Sequence, residues 1–225
     1  MSVRTTYRLA WAGSVAALLV AVAGCADDPP SAVVGLSVAG CPPGEAHGTG
    51  TIVAPALVLT SAHVVKGATE INVTNGDWST TGTIVGFDPN MDLAYVRLER
   101  GSARPLKLDG SRVARGDAGS AYVFRDGEVQ VIPVRVKRPV RIHTEDIYIE
   151  GDTYRPGYEL VADIHAGDSG GPVIVNGDVV GVLWARSSKF ENRAYAIDPI
   201  AGGELIRAQL ASGSIASDID VARCN

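Results

Sequence analysis

The chain has 225 residues, of which 46% are apolar, and its formal net charge is −5. This apolar fraction is enough for a packed core, which excludes wholesale disorder, and the length suits one domain or two half-domains that share a core. The negative charge argues against a dedicated nucleic-acid-binding protein, which normally presents a basic face.

Residues 1–24 have the pattern of an export signal. Arg4 and Arg8 precede an uninterrupted run of apolar and small residues, which is short for a membrane span. The run ends in VAGC, which resembles a bacterial lipobox and predicts cleavage before Cys25 and acylation of its thiol. The alternative is an ordinary signal peptide with a chance cysteine. We therefore expect an exported protein, lipid-anchored through Cys25 at the outer face of the cell membrane or in the periplasm.

Cys41 and Cys224 remain after Cys25 is assigned to the lipid. Because an exported chain meets an oxidising compartment, this pair predicts a disulfide, with two free buried thiols as the alternative. The sequence contains no Cys-x-x-Cys pair and no His/Cys cluster, so we expect neither a metal nor a cofactor.

Residues 25–32 are polar and rich in proline, and we interpret them as a short tether. From Val33 onward, short β-branched or aromatic runs are separated by Gly, Asn, Asp and Pro, which predicts a β-sandwich or β-barrel protein. Near the C-terminus, the spacing of apolar residues predicts a short amphipathic helix over residues 199–210.

The strongest chemical signal is the hexapeptide GDSGGP at residues 167–172. A serine that forms an acyl-enzyme needs hydrogen-bond donors aimed at the developing oxyanion. Glycines beside Ser169 permit a tight turn that presents the amides of Gly167 and Ser169, and Asp168 can brace this turn from behind. A Gly/Ser turn without chemistry is the alternative.

Two further residues are candidates for the groups that activate such a serine. His63 in TSAHVV follows an apolar strand, where a rigid element would position a general base, although a lone histidine is usually structural. Asp92 in NMDLAYVRL begins a buried-looking strand, although an acid there usually caps a turn. Asp88 competes for the same role, but it precedes Pro89 in an evident turn. The order His, Asp, Ser matches the chymotrypsin arrangement of a triad rather than the subtilisin or α/β-hydrolase order.

Three segments carry a family resemblance: GTGTIVAPALVLTSAHVV, DPNMDLAYVRL and GDSGGPVIVNGDVVGVLW. With them the chain resembles the trypsin-like serine proteases of the chymotrypsin clan, in particular the exported actinobacterial MarP-type branch. The resemblance implies an all-β fold of two perpendicular barrels, with the active site in the cleft between them and a short C-terminal helix. It divides the protease domain, residues 33–225, into barrels of about 33–117 and 118–213 and a tail of 214–225.

The same resemblance implies a serine endopeptidase that acts on proteins or peptides as a monomer. His63 is then the general base and acid, Asp92 orients it, Ser169 is the nucleophile, and the amides of Gly167 and Ser169 form the oxyanion hole. The alternative function is a catalytically silent binding module on the same barrels.

The sequence departs from the family in ways that matter for activation. It shows neither the membrane spans of the MarP type nor the C-terminal peptide-binding domain of HtrA-type proteases, and we expect the lipid anchor instead. In digestive trypsins a newly freed N-terminus holds the acid before the serine, which an acylated Cys25 could not supply. Asp168 therefore needs another partner, or a second cleavage near residues 33–35 must create one. We favour constitutive activity without that cleavage.

Substrate specificity is left open by three residues, Asp163, Trp184 and Arg186. In the trypsin-like pattern, Asp163 falls at the floor of the primary pocket, where an acid selects Lys or Arg. Trp184 and Arg186 should line the same pocket, and Arg186 falls where trypsins keep a glycine. Three outcomes stay open. The enzyme cleaves after basic residues; or Arg186 shields Asp163 and the pocket favours small or medium uncharged side chains; or Asp163 caps a turn and Arg186 points to solvent. His165 is a further candidate subsite residue.

Overall fold

The computed structural model describes residues 29–41, 44–101, 103–110, 113–215 and 219–224. The predicted leader and the predicted lipidation site at Cys25 lie outside these ranges. Among the described residues, no helix has the length and apolar character needed to cross a membrane.

The described residues form strands in two consecutive groups, together with three helices. The first group comprises β1 (Val33–Ala39), β2 (Ala46–Ala54), β3 (Leu57–Thr60), β4 (Glu70–Thr74), β5 (Ser79–Asp88) and β6 (Leu93–Leu98). The second comprises β7 (Ala118–Arg125), β8 (Glu128–Glu145), β9 (Asp152–Val161), β10 (Pro172–Val175), β11 (Asp178–Arg186) and β12 (Arg193–Ile197). The helices are α1 (Pro29–Ala32), α2 (Ala62–Val65) and α3 (Glu204–Ser212).

Each group of strands closes into an antiparallel barrel. The order is β1-β2-β3-β6-β5-β4 in the first barrel and β7-β8-β9-β12-β11-β10 in the second, so the two barrels share one connectivity. Closure leaves neither barrel with a free sheet edge. The predicted all-β fold of two barrels with a short C-terminal helix is confirmed.

The strands that separate the barrels are buried on both faces. On β3, Val58 points into the first barrel core, whereas Leu57 and Leu59 join a cluster with Val182 and Ile197 of the second barrel. This is the period-two alternation of a strand with an apolar layer on each side. The barrels are therefore packed through a continuous apolar contact, which fixes the position of the loops above it.

The C-terminal helix begins later than the spacing of apolar residues predicted. Asp198 accepts hydrogen bonds from the backbone N–H groups of Ile200 and Ala201 at 2.9 and 3.0 Å, which makes a turn of the first predicted helical residues. The helix ends at Gly213, whose φ of 73° is the left-handed conformation that favours glycine. Inside it, the buried Gln209 side chain pairs with both backbone groups of Phe87, at 2.6 and 3.1 Å, and so fastens α3 to β5.

A disulfide joins Cys41 to Cys224 across a separation of 183 residues, with the Cα atoms 5.4 Å apart. The two cysteines are therefore not free thiols, the alternative that the sequence left open. Gly67 packs directly on the bond, because a Cβ at this position would lie 2.0 Å from the Cys41 Sγ atom. The bond ties the segment after β1 to the tail beyond α3.

Candidate active site

The histidine and the aspartate of the predicted triad lie in direct contact. Nδ1 of His63 lies 2.7 Å from Oδ2 of Asp92, and the backbone N–H of His63 donates to Oδ1 at the same distance. An ionised carboxylate only accepts hydrogen bonds, so Nδ1 carries the proton of the neutral ring and Nε2 is left as the basic nitrogen. The carboxylate thus fixes the tautomer that a general base requires.

Local structure explains this placement. His63 lies in α2, a single turn that begins directly after the buried strand β3. Asp92 lies in the turn before β6 with a φ of 56°, a conformation that aspartate tolerates better than most residues. Asp88 instead accepts the N–H groups of Asn90 and Met91 at 2.9 and 3.0 Å, so it shapes this turn and does not contact the imidazole.

The contact between His63 and Asp92 shifts the pKa of both residues. Burial alone raises the pKa of Asp92, but the charge and hydrogen bonds of His63 and the charge of Arg155 bring that pKa below its ordinary value. Burial lowers the pKa of His63, but the charge and hydrogen bond of Asp92 outweigh it and raise that pKa above 6.5. The imidazole is therefore a stronger base than a free histidine.

Ser169 lies in a tight turn between β9 and β10. Gly167 has a φ of +94° and Gly170 a φ of +89°, values that L side chains rarely adopt. A Cβ on Gly170 would lie 2.0 Å from the carbonyl oxygen of Thr49, so no other residue fits this approach to the first barrel. Within the described part of the chain, the amides of Gly167 and Ser169 donate to no protein acceptor, which leaves both available to an oxyanion.

The hydroxyl of Ser169 donates to the backbone oxygen of Trp184 at 3.4 Å. This is a long contact, and it turns the hydroxyl towards β11 and not to the imidazole. Catalytic hydrogen bonds are often loose before substrate binds and tighten only in the complex.

Thr49 of β2 joins the first barrel to the turn that carries Ser169. No sequence motif indicated this role of Thr49. Its N–H donates to the carbonyl oxygen of Ser169 at 2.8 Å, and its hydroxyl donates to that of Gly167 at 3.2 Å. The hydroxyl also accepts the N–H of Phe124 at 3.0 Å. The turn is therefore held from both barrels.

Arg125 is a second contributor that the sequence analysis missed. Its Nε donates to Oδ1 of Asp168 at 2.7 Å and its Nη2 to Oδ2, a bidentate pair with a carboxylate that is fully buried. Oδ2 also accepts the N–H of His165 at 2.6 Å. Asp168 thus has a cationic partner from β7, which is the alternative to a freed N-terminus that the sequence left open. Arg125 flanks an Asp-Gly turn, so the sequence indicated only a hairpin end.

Next to Ser169 is a cavity of about 110 Å³. It is lined by Ile164, His165, Ala166, Leu183, Trp184, Ala185 and Arg186. Asp163 does not line it: its side chain is 72% exposed and lies 3.2 Å from His165. Asp163 and Arg186 both border an adjacent cavity of about 230 Å³ instead.

Residues 48–182 match the family described as trypsin-like peptidase domain. The serine protease Rv3671c of Mycobacterium tuberculosis is 31% identical over 76% of this chain and 41% of its own length. A DegP-like periplasmic serine endoprotease of Pseudomonas putida is 30% identical over 68% of the chain and 32% of its own length. The chain therefore spans less than half of these relatives.

One solved structure bears on the whole described fold. The crystal structure of the active form of the Rv3671c protease superposes with a TM-score of 0.77 at 26% identity. The superposition covers 87% of this chain and 86% of the other. The likeness thus extends over both barrels.

Proposed function

Because the chain belongs to the trypsin-like peptidase family, we propose that it is a serine endopeptidase with His63, Asp92 and Ser169 as its catalytic triad. The observation that carries the proposal is the buried Asp92 carboxylate 2.7 Å from Nδ1 of His63. Such a contact leaves Nε2 as the base for a nucleophile. The Ser169 turn supplies the nucleophile and the amides of Gly167 and Ser169, which have no acceptor among the described residues.

Acylation begins when the hydroxyl of Ser169 turns from the Trp184 carbonyl to Nε2 of His63. The imidazole takes the hydroxyl proton as Oγ attacks the peptide carbonyl carbon, and Asp92 stabilises the imidazolium that forms. The carbonyl oxygen becomes an oxyanion that accepts hydrogen bonds from the amides of Gly167 and Ser169. His63 then protonates the leaving amine, which completes the acyl-enzyme.

Deacylation repeats the same steps with water. His63 removes a proton from water, the hydroxide attacks the ester of Ser169, and the imidazolium returns its proton to Oγ as the peptide acid leaves. Water is the only reactant in this scheme besides the groups of the chain and the peptide.

The pair of Arg125 with Asp168 supports the expectation of constitutive activity. The guanidinium already occupies the carboxylate through two hydrogen bonds, so the oxyanion turn needs no ammonium from a cleaved N-terminus. Mass spectrometry of the active protein should therefore find residues 33–35 uncut, and activity that appears only after cleavage there would oppose the idea.

For specificity we favour small or medium uncharged side chains at the residue before the scissile bond. The cavity beside Ser169 is about 110 Å³ in volume, with Trp184 and Arg186 in its wall. Asp163 is exposed and paired with His165 outside it, which disfavours an acidic pocket floor. Replacing Asp163 with Ala should leave the preferred residue unchanged, whereas Arg186→Gly should widen the accepted size. A loss of cleavage after Lys or Arg in the Asp163 variant would restore the acidic-pocket interpretation.

The location is proposed from the leader sequence and from the periplasmic relatives. Residues 29–32 of the predicted tether form α1, and Ala32 is 0% exposed in the first barrel core. A diacylglyceryl group on Cys25, a few residues ahead of α1, would hold a monomeric protease at the membrane surface, within reach of envelope proteins. Mature protein should partition into detergent, and Cys25→Ser should release it. Mass spectrometry that finds an unmodified Cys25 would exclude the anchor.

A fluorophosphonate probe separates the enzyme from a silent binding module. Only an activated serine is labelled, so the wild-type protein should react and the Ser169→Ala variant should not. Proteome-derived peptide profiling of both proteins then supplies the substrate preference. Folded wild-type protein that neither reacts nor cleaves would refute the proposed function.

A further inference from the structure

Arg155 of β9 is a fully charged side chain in the interior of the molecule, with 2% of its surface exposed. A buried charge is costly unless its hydrogen bonds are satisfied. Its Nε donates to the carbonyl oxygen of Asn90 at 2.6 Å, and Nη2 lies 3.5 Å from that of Pro89 and 3.2 Å from that of Glu145. Two of these acceptors belong to the first barrel, although β9 belongs to the second.

The acceptors in the first barrel lie in the turn that carries the triad aspartate. Asn90 is two residues before Asp92, and the guanidinium Nη1 lies 4.0 Å from Oδ2 of Asp92. That oxygen is the one in contact with the imidazole of His63. Arg155 therefore lies next to Oδ2 of Asp92, the carboxylate oxygen that orients the imidazole of His63.

The same guanidinium also contacts Trp184, one of the residues that line the cavity beside Ser169. Its Cζ lies 4.8 Å from the ring centroid of Trp184, a cation–π distance. Trp184 lines the cavity beside Ser169 and accepts the Ser169 hydroxyl at its backbone oxygen. One side chain thus contacts the acid of the triad and the wall of the cavity.

We propose that Arg155 is a positioning residue for the reaction: it holds the Asp92 turn by its carbonyls, stabilises the Asp92 carboxylate by charge, and supports Trp184 from behind. The proposal rests on the proposed protease function and identifies a residue of the second barrel that acts through a residue of the first.

The positive charge of Arg155 has a measurable effect on the pKa of His63. Burial lowers the pKa of His63 and Asp92 raises it by more. The positive charges of Arg155 and Lys66 have smaller effects, and both lower that pKa. Removing the guanidinium therefore raises the pKa of His63 further, and the pH below which the base is protonated moves up.

The other charged groups near Arg155 are acids, so none of them can lower the pKa of His63 in its place. Burial lowers the pKa of Arg155, and the charges of Asp92, Asp88 and Asp146 oppose that. A guanidinium keeps its proton in proteins, so the cation persists across the range in which His63 titrates. Asp88 and Asp146 are acids and cannot supply a positive charge to Asp92.

The test compares Arg155→Met, which removes the charge, with Arg155→Lys, which keeps it without the planar fork. Arg207→Met is the matched control, because Arg207 also donates to two carbonyl oxygens, of Pro199 and Ile200, at 2.8 and 3.0 Å. Each full-length variant is measured for kcat, for KM and for the pH profile of kcat/KM. The His63 imidazole is also titrated by NMR in a Ser169→Ala background, which needs no activity.

Arg155→Met should lower kcat on the order of 10²-fold, the effect of a misplaced catalytic group, and should move the acidic limb and the His63 titration to higher pH. Arg155→Lys should keep both titrations at the wild-type position and recover part of kcat, and Arg207→Met should change neither the titrations nor kcat. A cooperatively melting Arg155→Met with wild-type kcat and an unmoved titration would overturn the proposal.

If Arg155→Met does not fold, Arg155→Lys decides the matter. A lysine that shifts the His63 titration upward would show that charge at this place is not what sets it, and would also overturn the proposal. Failure of the wild-type protein to react with a fluorophosphonate would refute the protease function, whereas the NMR titration would still report on Arg155.

Discussion

Removing the Arg125 guanidinium tests how the nucleophile turn is braced. Arg125→Met keeps an aliphatic side chain but deletes both hydrogen bonds to Asp168, whose side chain is 0% exposed. Breaking a buried ion pair by removing one partner costs about 3–5 kcal/mol. We take about 3 kcal/mol because Arg125 itself is 22% exposed. A loss of this size lowers the Tm of a domain of this length by roughly 6–12 °C.

The catalytic loss should exceed what the lower stability explains. Asp168 also accepts the N–H of His165 at 2.6 Å, so an unpaired carboxylate lets the turn from His165 to Ser169 relax. The amides of Gly167 and Ser169 then lose their aim at the oxyanion. Loss of one such donor costs about 10²–10³-fold in kcat, and we expect a fall of that order with little change in KM.

The assay measures kcat and KM on a cleavable peptide at a temperature where both proteins are folded. Arg135→Met is the control, since Arg135 also lies in the second barrel and donates to a single carbonyl oxygen, of Gly116, at 2.9 Å. Added methylguanidine should partly restore kcat in the Arg125 variant alone. A variant whose Tm falls as expected while kcat stays within twofold of wild type would refute the reasoning.

The remaining predictions concern the triad and the disulfide. Ser169→Ala and His63→Ala should each lower kcat on the order of 10⁶-fold, and Asp92→Asn about 10⁴-fold through the wrong tautomer; full activity in any clean variant would contradict the roles. Because the pKa of His63 is raised above 6.5 and the base must be neutral, kcat/KM should fall with decreasing pH on a limb above pH 6.5, and a limb below it would be the wrong result. Reducing Cys41–Cys224 should lower the free energy of unfolding by about 5 kcal/mol in the chain-entropy model, seen as a lower Tm with the triad geometry intact. Equal Tm values with free thiols confirmed would exclude that contribution.

The sequence predicted the parts of the site that lie in continuous motifs. His63 follows a strand, and Ser169 lies between glycines that its turn requires at φ values of +94° and +89°. The family resemblance behind these assignments is confirmed, and so are the two barrels; the structure also joins Cys41 to Cys224 as predicted. These features were accessible because each depends on local backbone conformation or on residue type.

The sequence did not predict the roles of the two buried or half-buried arginines of the site, Arg155 and Arg125. On β9, apolar character favours Tyr154 as the inward residue, yet Tyr154 is 49% exposed and the neighbouring Arg155 is buried. Only the partners explain this, since Asp92 and two of the three carbonyl oxygens that contact the Arg155 guanidinium come from a turn more than sixty positions away in the sequence. Arg125 and Asp168 meet in the same way across 43 positions. Period-two patterns record burial of apolar groups and carry no information on which distant acceptors compensate a buried charge.

The hydrogen bonds of Thr49 couple local unfolding of the first barrel to the nucleophile turn in the second. Proteins unfold locally in cooperative units, and each barrel is a natural unit of this kind. Since Thr49 of the first barrel holds the carbonyls of both Gly167 and Ser169, an opening of β2 removes support from the nucleophile in the other barrel. We therefore expect local unfolding of the first barrel to inactivate Ser169 even while the second barrel stays folded.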